Sequence, residues 1–179
     1  MAVVETRGHG AIFVTGVAGS GKSTVARALA LRLGCRFLEG DDFHGAANIA
    51  KMASGQALSD EDRWPWLARL GRAADEAVVR DGTVVLSCSA LRQAYRDCLR
   101  HEIAHGSVFF QLQIDPAEAV RRLQARTGHF MAPGLVDSQF AALEAPGPEE
   151  ALLVLDGTAS AMHLCDAICA WLSGQTVNR

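Results

Sequence analysis

The octapeptide GVAGSGKS, Gly16 to Ser23, holds the residues whose types and spacing most clearly specify a chemistry. It fits G-x-x-x-x-G-K-[S/T] at every required position, the pattern in which glycines let backbone N–H groups converge on phosphate oxygens. In this reading Gly16, Val17, Ala18, Gly19, Ser20, Gly21, Lys22, Ser23 and Thr24 form the cradle of a nucleoside triphosphate. Lys22 reaches the β- and γ-phosphates, and Ser23 offers its hydroxyl to Mg²⁺. The competing reading is a glycine-rich turn with no ligand. The context opposes it: the apolar run AIFVT enters the segment and an amphipathic stretch leaves it.

A phosphate cradle does not name a reaction. A small kinase and a nucleotide sensor that only hydrolyses both fit, so the remaining loops must decide. FLEGDDFH, Phe37 to His44, sets Glu39 and Asp41 two residues apart at the end of a strand. Period-2 geometry aims both toward the crevice where open parallel sheets bind ligands. Asp41 is the expected base for a substrate hydroxyl, and Glu39 the expected support for the metal. An acidic turn capping the next helix would use the same residues, Asp42 included. No acid follows the third strand, which runs into Cys88-Ser89-Ala90-Leu91, and this weakens the motor and hydrolase readings.

Cationic residues supply the rest. In LSDEDRWPWL, Arg63 either grips an anionic substrate bidentately or pairs with Asp60 or Glu61. Trp64 and Trp66 beside it read as packing residues. Arg122 and Arg126 lie four apart just before Gly128-His129-Phe130. That arrangement suits a lid closing over phosphates, or a merely solvated basic face. Arg121 points elsewhere and reads as structural. His101 and His105 share the same spacing but lack the further ligands a metal site needs.

These residues need elements to hold them. Strands are expected at 11–15, 35–40, 83–88, 107–114 and 151–156. Helices are expected at 22–33, 46–53, 59–79, 91–103, 115–126 and 159–172. Strand and helix signals that alternate in this way imply right-handed crossovers and a five-stranded parallel sheet covered by helices on both faces. Ala145 to Glu150, APGPEE, reads as a surface loop.

The chain has 179 residues, hydrophobic content of 49% and a net charge of −3. One domain with a real core is expected, and a dedicated nucleic-acid binder is not. No apolar run reaches the roughly 18 residues of a membrane span, and the N-terminal ten residues lack a signal-peptide core. Five cysteines without a CxxC pair read as reduced thiols in a cytoplasmic protein.

Several longer strings carry a family resemblance: GVAGSGKS, LEGDDFH, NIAKMASGQALSDEDRWPWL, SCSALRQAYRD, RLQARTGHF and LVDSQFAALEAP. In this order they span residues ~12 to ~146, and together the chain resembles the gluconate kinases, small P-loop kinases with a nucleoside-monophosphate-kinase-like fold. The resemblance implies transfer of the ATP γ-phosphoryl group to the 6-hydroxyl of D-gluconate, with Mg²⁺. It places Asp41 near the acceptor hydroxyl. It puts His44, Arg63, Ser89, Tyr95 and Arg96 on the acceptor side, and Arg122, Arg126 and His129 in a lid. The lid is expected over about 122–140 and the acceptor region over about 41–70, in a homodimer. Glu39 stands where the family often has Asp, Gly45 where it has Pro, and Arg92 where Lys is common. Shikimate- or nucleotide-directed kinases and a non-catalytic nucleotide sensor are the competing functions.

Overall fold

Five apolar segments form the strands β1 (Gly10–Thr15), β2 (Arg36–Glu39), β3 (Thr83–Ser87), β4 (Ser107–Gln113) and β5 (Leu152–Asp156). The computed structural model describes residues 9–125 and 133–175. All strand pairings are parallel, in the order β2-β3-β1-β4-β5. The expected five-stranded parallel sheet is therefore present.

Strand β1 shows how the sheet divides the core. Ala11 and Phe13 point to one face, into a cluster with Trp66, Leu70, Leu86, Tyr95 and Leu99. Ile12 and Val14 point to the other, into a cluster with Val25, Leu29, Phe110, Leu164 and Ile168. Alternation along a strand buried on both faces produces this split. Phe13 stacks on its register partner Phe109 with centroids 4.7 Å apart.

On the first face lie α3 (Asp60–Asp81) and α4 (Gln93–Glu102). On the second lie α1 (Lys22–Leu33) and α7 (Ala161–Gln175). Helix α3 begins with a capping box. The Ser59 hydroxyl accepts the Asp62 N–H, and the Asp62 carboxylate accepts the Ser59 N–H. Asp62 also binds Lys51 at 2.7 Å, which fastens the short helix α2 (Ala46–Ala53) to α3. Pro65 sits early enough in α3 that one lost hydrogen bond does not break the helix. Helix α4 starts at Gln93, two residues later than expected. Ala90 holds a positive φ of 38°, and the Leu91 carbonyl is turned outward to accept the Glu144 N–H.

A third cluster lies beyond the sheet's carboxyl edge. Val17, Ile114 and Ala119 meet Val136 and Ala142 there, joining the phosphate loop to α5 (Pro116–Gln124) and α6 (Pro133–Ala142). Helix α6 was not foreseen as a separate element. Its residues fall partly within the segment 122–140 expected as a lid, of which residues 126–132 lie outside the described part. None of the described helices is long and apolar enough to cross a membrane.

Candidate active site

The loop after β1 carries the conformations its glycines permit. Gly16, Gly19 and Gly21 have φ of +139°, +82° and +91°. A Cβ on Gly19 would lie 2.8 Å from the Ala119 carbonyl of α5, and one on Gly16 would lie 2.7 Å from the Leu112 carbonyl. The loop is thus bent to a shape that side chains would destroy. Gly21 is the N-cap of α1, so the N–H groups of Lys22, Ser23 and Thr24 form its first turn, where no intrahelical carbonyl reaches them. Lys22 Nζ donates back across the loop to the Val17 carbonyl at 3.4 Å. The Ser20 hydroxyl is buried and has no hydrogen-bond partner. An unpartnered hydroxyl, backbone donors at a helix N-terminus and a lysine together fit the phosphates of a nucleotide.

Arg122 of α5 meets this loop. Its Nη1 donates to the Gly157 carbonyl at 2.9 Å and to the Ser20 carbonyl at 3.4 Å, while its Nε donates to Glu118 at 2.6 Å. Arg121 and Arg122 together hold the Glu118 carboxyl down to about 2. A merely solvated basic face is therefore excluded for Arg122. Arg121 is exposed and pairs only with Glu118 among the described contacts, as its direction on the helix suggested. Arg126 and His129 lie outside the described residues.

The loop has one more attachment that sequence reasoning missed. Gln139 of α6 accepts the backbone N–H of Ala18 through Oε1 at 2.6 Å. Its only sequence signal was membership in the string LVDSQFAALEAP.

The two acids occupy the tip of β2. Glu39 accepts a short hydrogen bond from the Ser87 hydroxyl, its register partner on β3, and lies 3.5 Å from Arg27. Ser87 was also missed, although it is the polar residue that closes the run TVVLS. Immediately after Glu39 comes a close approach. A Cβ on Gly40 would sit 2.3 Å from the Ser87 carbonyl. This glycine lets the turn Gly40–Phe43 fold tightly over β3 and present Asp41, whose carboxylate is 70% exposed. The Cys88 thiol is buried next to this turn. Burial pushes it up to about 12, Asp41 and Glu39 push the same way, and Lys22 opposes them. Lys22, at the start of α1, Glu39, at the end of β2, and Asp41, on the turn after it, all follow the carboxyl ends of strands in the parallel sheet.

His44 stands behind Asp41. Its side chain is only 4% exposed, stacked on Trp66 at 4.2 Å, with Nε2 3.9 Å from Asp41 Oδ1. Burial lowers its pKa, favouring the neutral ring. The Asn48 side-chain N–H, 3.4 Å away, can only donate to Nδ1, so the proton of the neutral ring sits on Nε2, facing Asp41. Trp66 is buried and donates its Nε1–H to the Gly40 carbonyl at 2.8 Å, a packing role as expected.

Farther along, Arg63 meets one of the two acids expected as its partner, Asp60, and a further partner, Tyr95. It lies 3.5 Å from Asp60 and donates to the Tyr95 hydroxyl at 3.2 Å. Tyr95 donates in turn to Asp60 at 2.5 Å, and Arg92 binds both oxygens of Asp60 at 2.9–3.1 Å. Trp64 meets the Tyr95 ring edge-on. Arg63, Tyr95, Asp60 and Arg92 therefore form one cluster, in which the sequence offers Asp60 only as an ion-pair partner of Arg63 and Arg92 only as a departure from the family pattern. The Ser89 carbonyl accepts the Gly16 N–H at 3.4 Å and links this side to the phosphate loop.

Arg96 requires a correction. It was expected to contact substrate, but its side chain is 0% exposed and its donors are engaged. It pairs bidentately with Glu150 at 2.7–2.8 Å and donates to the carbonyls of Ala90 and Leu91 at 3.2 Å. Its geometry suits holding the turn that carries Ser89. Glu150 belongs to the segment read as a surface loop, yet its carboxylate is buried among Arg96 and Arg100, which hold it down to about 2.

Among the described residues no group of three or more His, Cys, Asp or Glu side chains gathers for a metal ion. The oxygen donors near the cradle, Ser23 and Glu39, are of the hard type that suits Mg²⁺ held mainly by nucleotide phosphates.

Comparisons with known proteins agree with this geometry. The protein family described as AAA domain matches residues 12–145. A gluconokinase from Gluconobacter oxydans is 44% identical over 146 residues, covering 82% of each chain. The thermosensitive gluconokinase of Escherichia coli is 44% identical, covering 75% of this chain and 72% of that one. The crystal structure of a gluconokinase from Sinorhizobium meliloti superposes with a TM-score of 0.84 at 40% identity, covering 96% of both chains. An APS kinase from Mycobacterium tuberculosis, 20% identical with a TM-score of 0.66 over 93% of this chain and 99% of that one, shares the fold. The chain belongs to the gluconokinase family of P-loop kinases.

Proposed function

We propose that this protein transfers the γ-phosphoryl group of ATP to the 6-hydroxyl of D-gluconate, giving 6-phospho-D-gluconate and ADP. The observation that carries this reading is the glycine-bent loop closed by Lys22 and the N-terminus of α1, with the unpartnered Ser20 hydroxyl inside it and the exposed Asp41 carboxylate on the turn after β2, in a chain similar to gluconokinases over most of its length.

In the reaction, the acceptor oxygen attacks Pγ, the bond from Pγ to the bridging oxygen breaks, and the acceptor proton passes to Asp41. The exposed Asp41 carboxylate is open to an incoming hydroxyl. His44, stacked on Trp66 with Nε2 3.9 Å from Asp41, borders the base without adding a competing charge. The cradle amides and Lys22 bind the phosphates. Arg122, already at the Ser20 carbonyl, adds positive charge as negative charge moves onto the leaving phosphate. Arg126 and His129 complete the lid in this reading. Ser23 would hold Mg²⁺, and Glu39, engaged by Ser87 and Arg27, would support it. When bound, Mg²⁺ neutralises phosphate charge. Arg63 and Tyr95 face the acceptor. The family resemblance supports a homodimer, and the cysteine pattern a cytoplasmic location.

A coupled assay tests the reading. Mg-ATP with gluconate should release ADP, whereas shikimate and nucleoside monophosphates should not. ADP release independent of gluconate, or turnover only with another acceptor, refutes it.

A further inference from the structure

We infer that Arg92, acting with Arg63, receives the carboxylate of the acceptor and so selects an acid over a neutral polyol. The inference deepens the proposed function and rests on gluconate being the acceptor. Arg63 and Arg92 reach the same place from the starts of α3 and α4. Their guanidinium carbons lie 5.4 and 5.7 Å from the centroid of the Tyr95 ring. Tyr95 is buried, so its ring is a fixed platform for both. Asp60 accepts from Arg92, faces Arg63 and accepts from the Tyr95 hydroxyl, so one carboxylate holds both arginines in position.

The charges in this cluster do not balance. Two guanidiniums face the single Asp60 carboxylate. Asp62 is paired with Lys51, and among the described residues Glu61 makes no ion pair with Arg63 or Arg92. An excess positive charge on a rigid, half-exposed platform is a place for one more carboxylate. An ordinary surface ion pair needs neither the second arginine nor the tyrosine. The cluster also lies on the acceptor side: Arg63 sits one helical turn before Trp66 on α3, and Trp66 stacks on His44, which stands beside Asp41.

The test compares gluconate with its neutral 1-amide, D-gluconamide, by calorimetric titration of the full chain. The native protein should bind gluconate at least ~10-fold more tightly than the amide. Arg92→Gln should bring the two affinities toward each other by weakening gluconate alone. Arg92→Lys, which keeps the charge, should retain most of the preference. Equal weakening of both ligands, an unchanged ratio in Arg92→Gln, or no preference in the native protein overturns the inference. Failure of the native protein to release ADP with gluconate instead overturns the reading of the acceptor on which it rests.

Discussion

Arg96 and Glu150 meet as a two-pronged ion pair inside the protein, joining α4 to the loop before β5 across 54 residues of sequence. Such a pair is costly to break from one side, because the partner is left as a buried, uncompensated charge. Arg96→Met should cost about 3–5 kcal/mol of stability in urea unfolding. Glu150→Gln should cost at least as much, since it leaves the fully buried Arg96 without a counter-charge, whereas Arg96→Met leaves Glu150 paired with Arg100.

The same pair gives a pH signature. The Glu150 carboxyl is lowered from 4.5 to about 2 in the folded protein, with Arg96 the largest cause. A lowered folded-state value means that the unfolded chain takes up the proton first as pH falls. The pair's contribution is therefore complete above 4.5 and lost as pH falls toward about 2. Thermal melting across this range should show a steeper loss of Tm in the native protein than in Glu150→Gln.

Two substitutions separate phosphate binding from proton transfer. Lys22→Ala should abolish gluconate-dependent ADP release. Asp41→Asn should lower kcat by at least ~10²-fold while leaving ATP affinity nearly unchanged, because Asp41 lies on the acceptor side of the cradle. Full activity of Asp41→Asn would remove it from the role of base.

Gln139→Ala tests the tie between α6 and the phosphate loop. Losing the acceptor for the Ala18 N–H removes one hydrogen bond, worth about 1 kcal/mol. The expected result is a rise of roughly fivefold in the KM for ATP with kcat little changed. An unchanged KM would make the contact incidental to nucleotide binding.

Gly40→Ala should be far less tolerated than an ordinary glycine substitution. The added carbon meets the Ser87 carbonyl, which is strand backbone and cannot swing aside. Destabilisation of at least about 1–3 kcal/mol is expected in thermal or urea unfolding.

Local rules made the sheet legible. Apolar runs of strand length, Ser59 with its capping box, and Pro116 after the Asp115 N-cap each act within a few residues, and each behaves as its spacing implies. The cradle was equally legible, because consecutive residues build it. Contacts across long separations were not. Nothing in the strings around Arg96 and Glu150 reveals that they meet, so Arg96 read as a substrate contact and Glu150 as part of a solvated loop. Arg92 and Asp60, 32 residues apart, gave no sign of sharing a tyrosine. Helix α6 went unrecognised because its apolar residues were read only as part of a family string.

The seat of Trp66 has a practical consequence. It is one of three tryptophans, and its indole is clamped between the His44 ring and the Gly40 carbonyl, on the loop that presents Asp41. With Trp64 and Trp171 changed to phenylalanine, the remaining emission would come from this one ring. The protein would then carry its own optical gauge of the acceptor loop, able to follow substrate arrival in a stopped-flow trace without any attached dye.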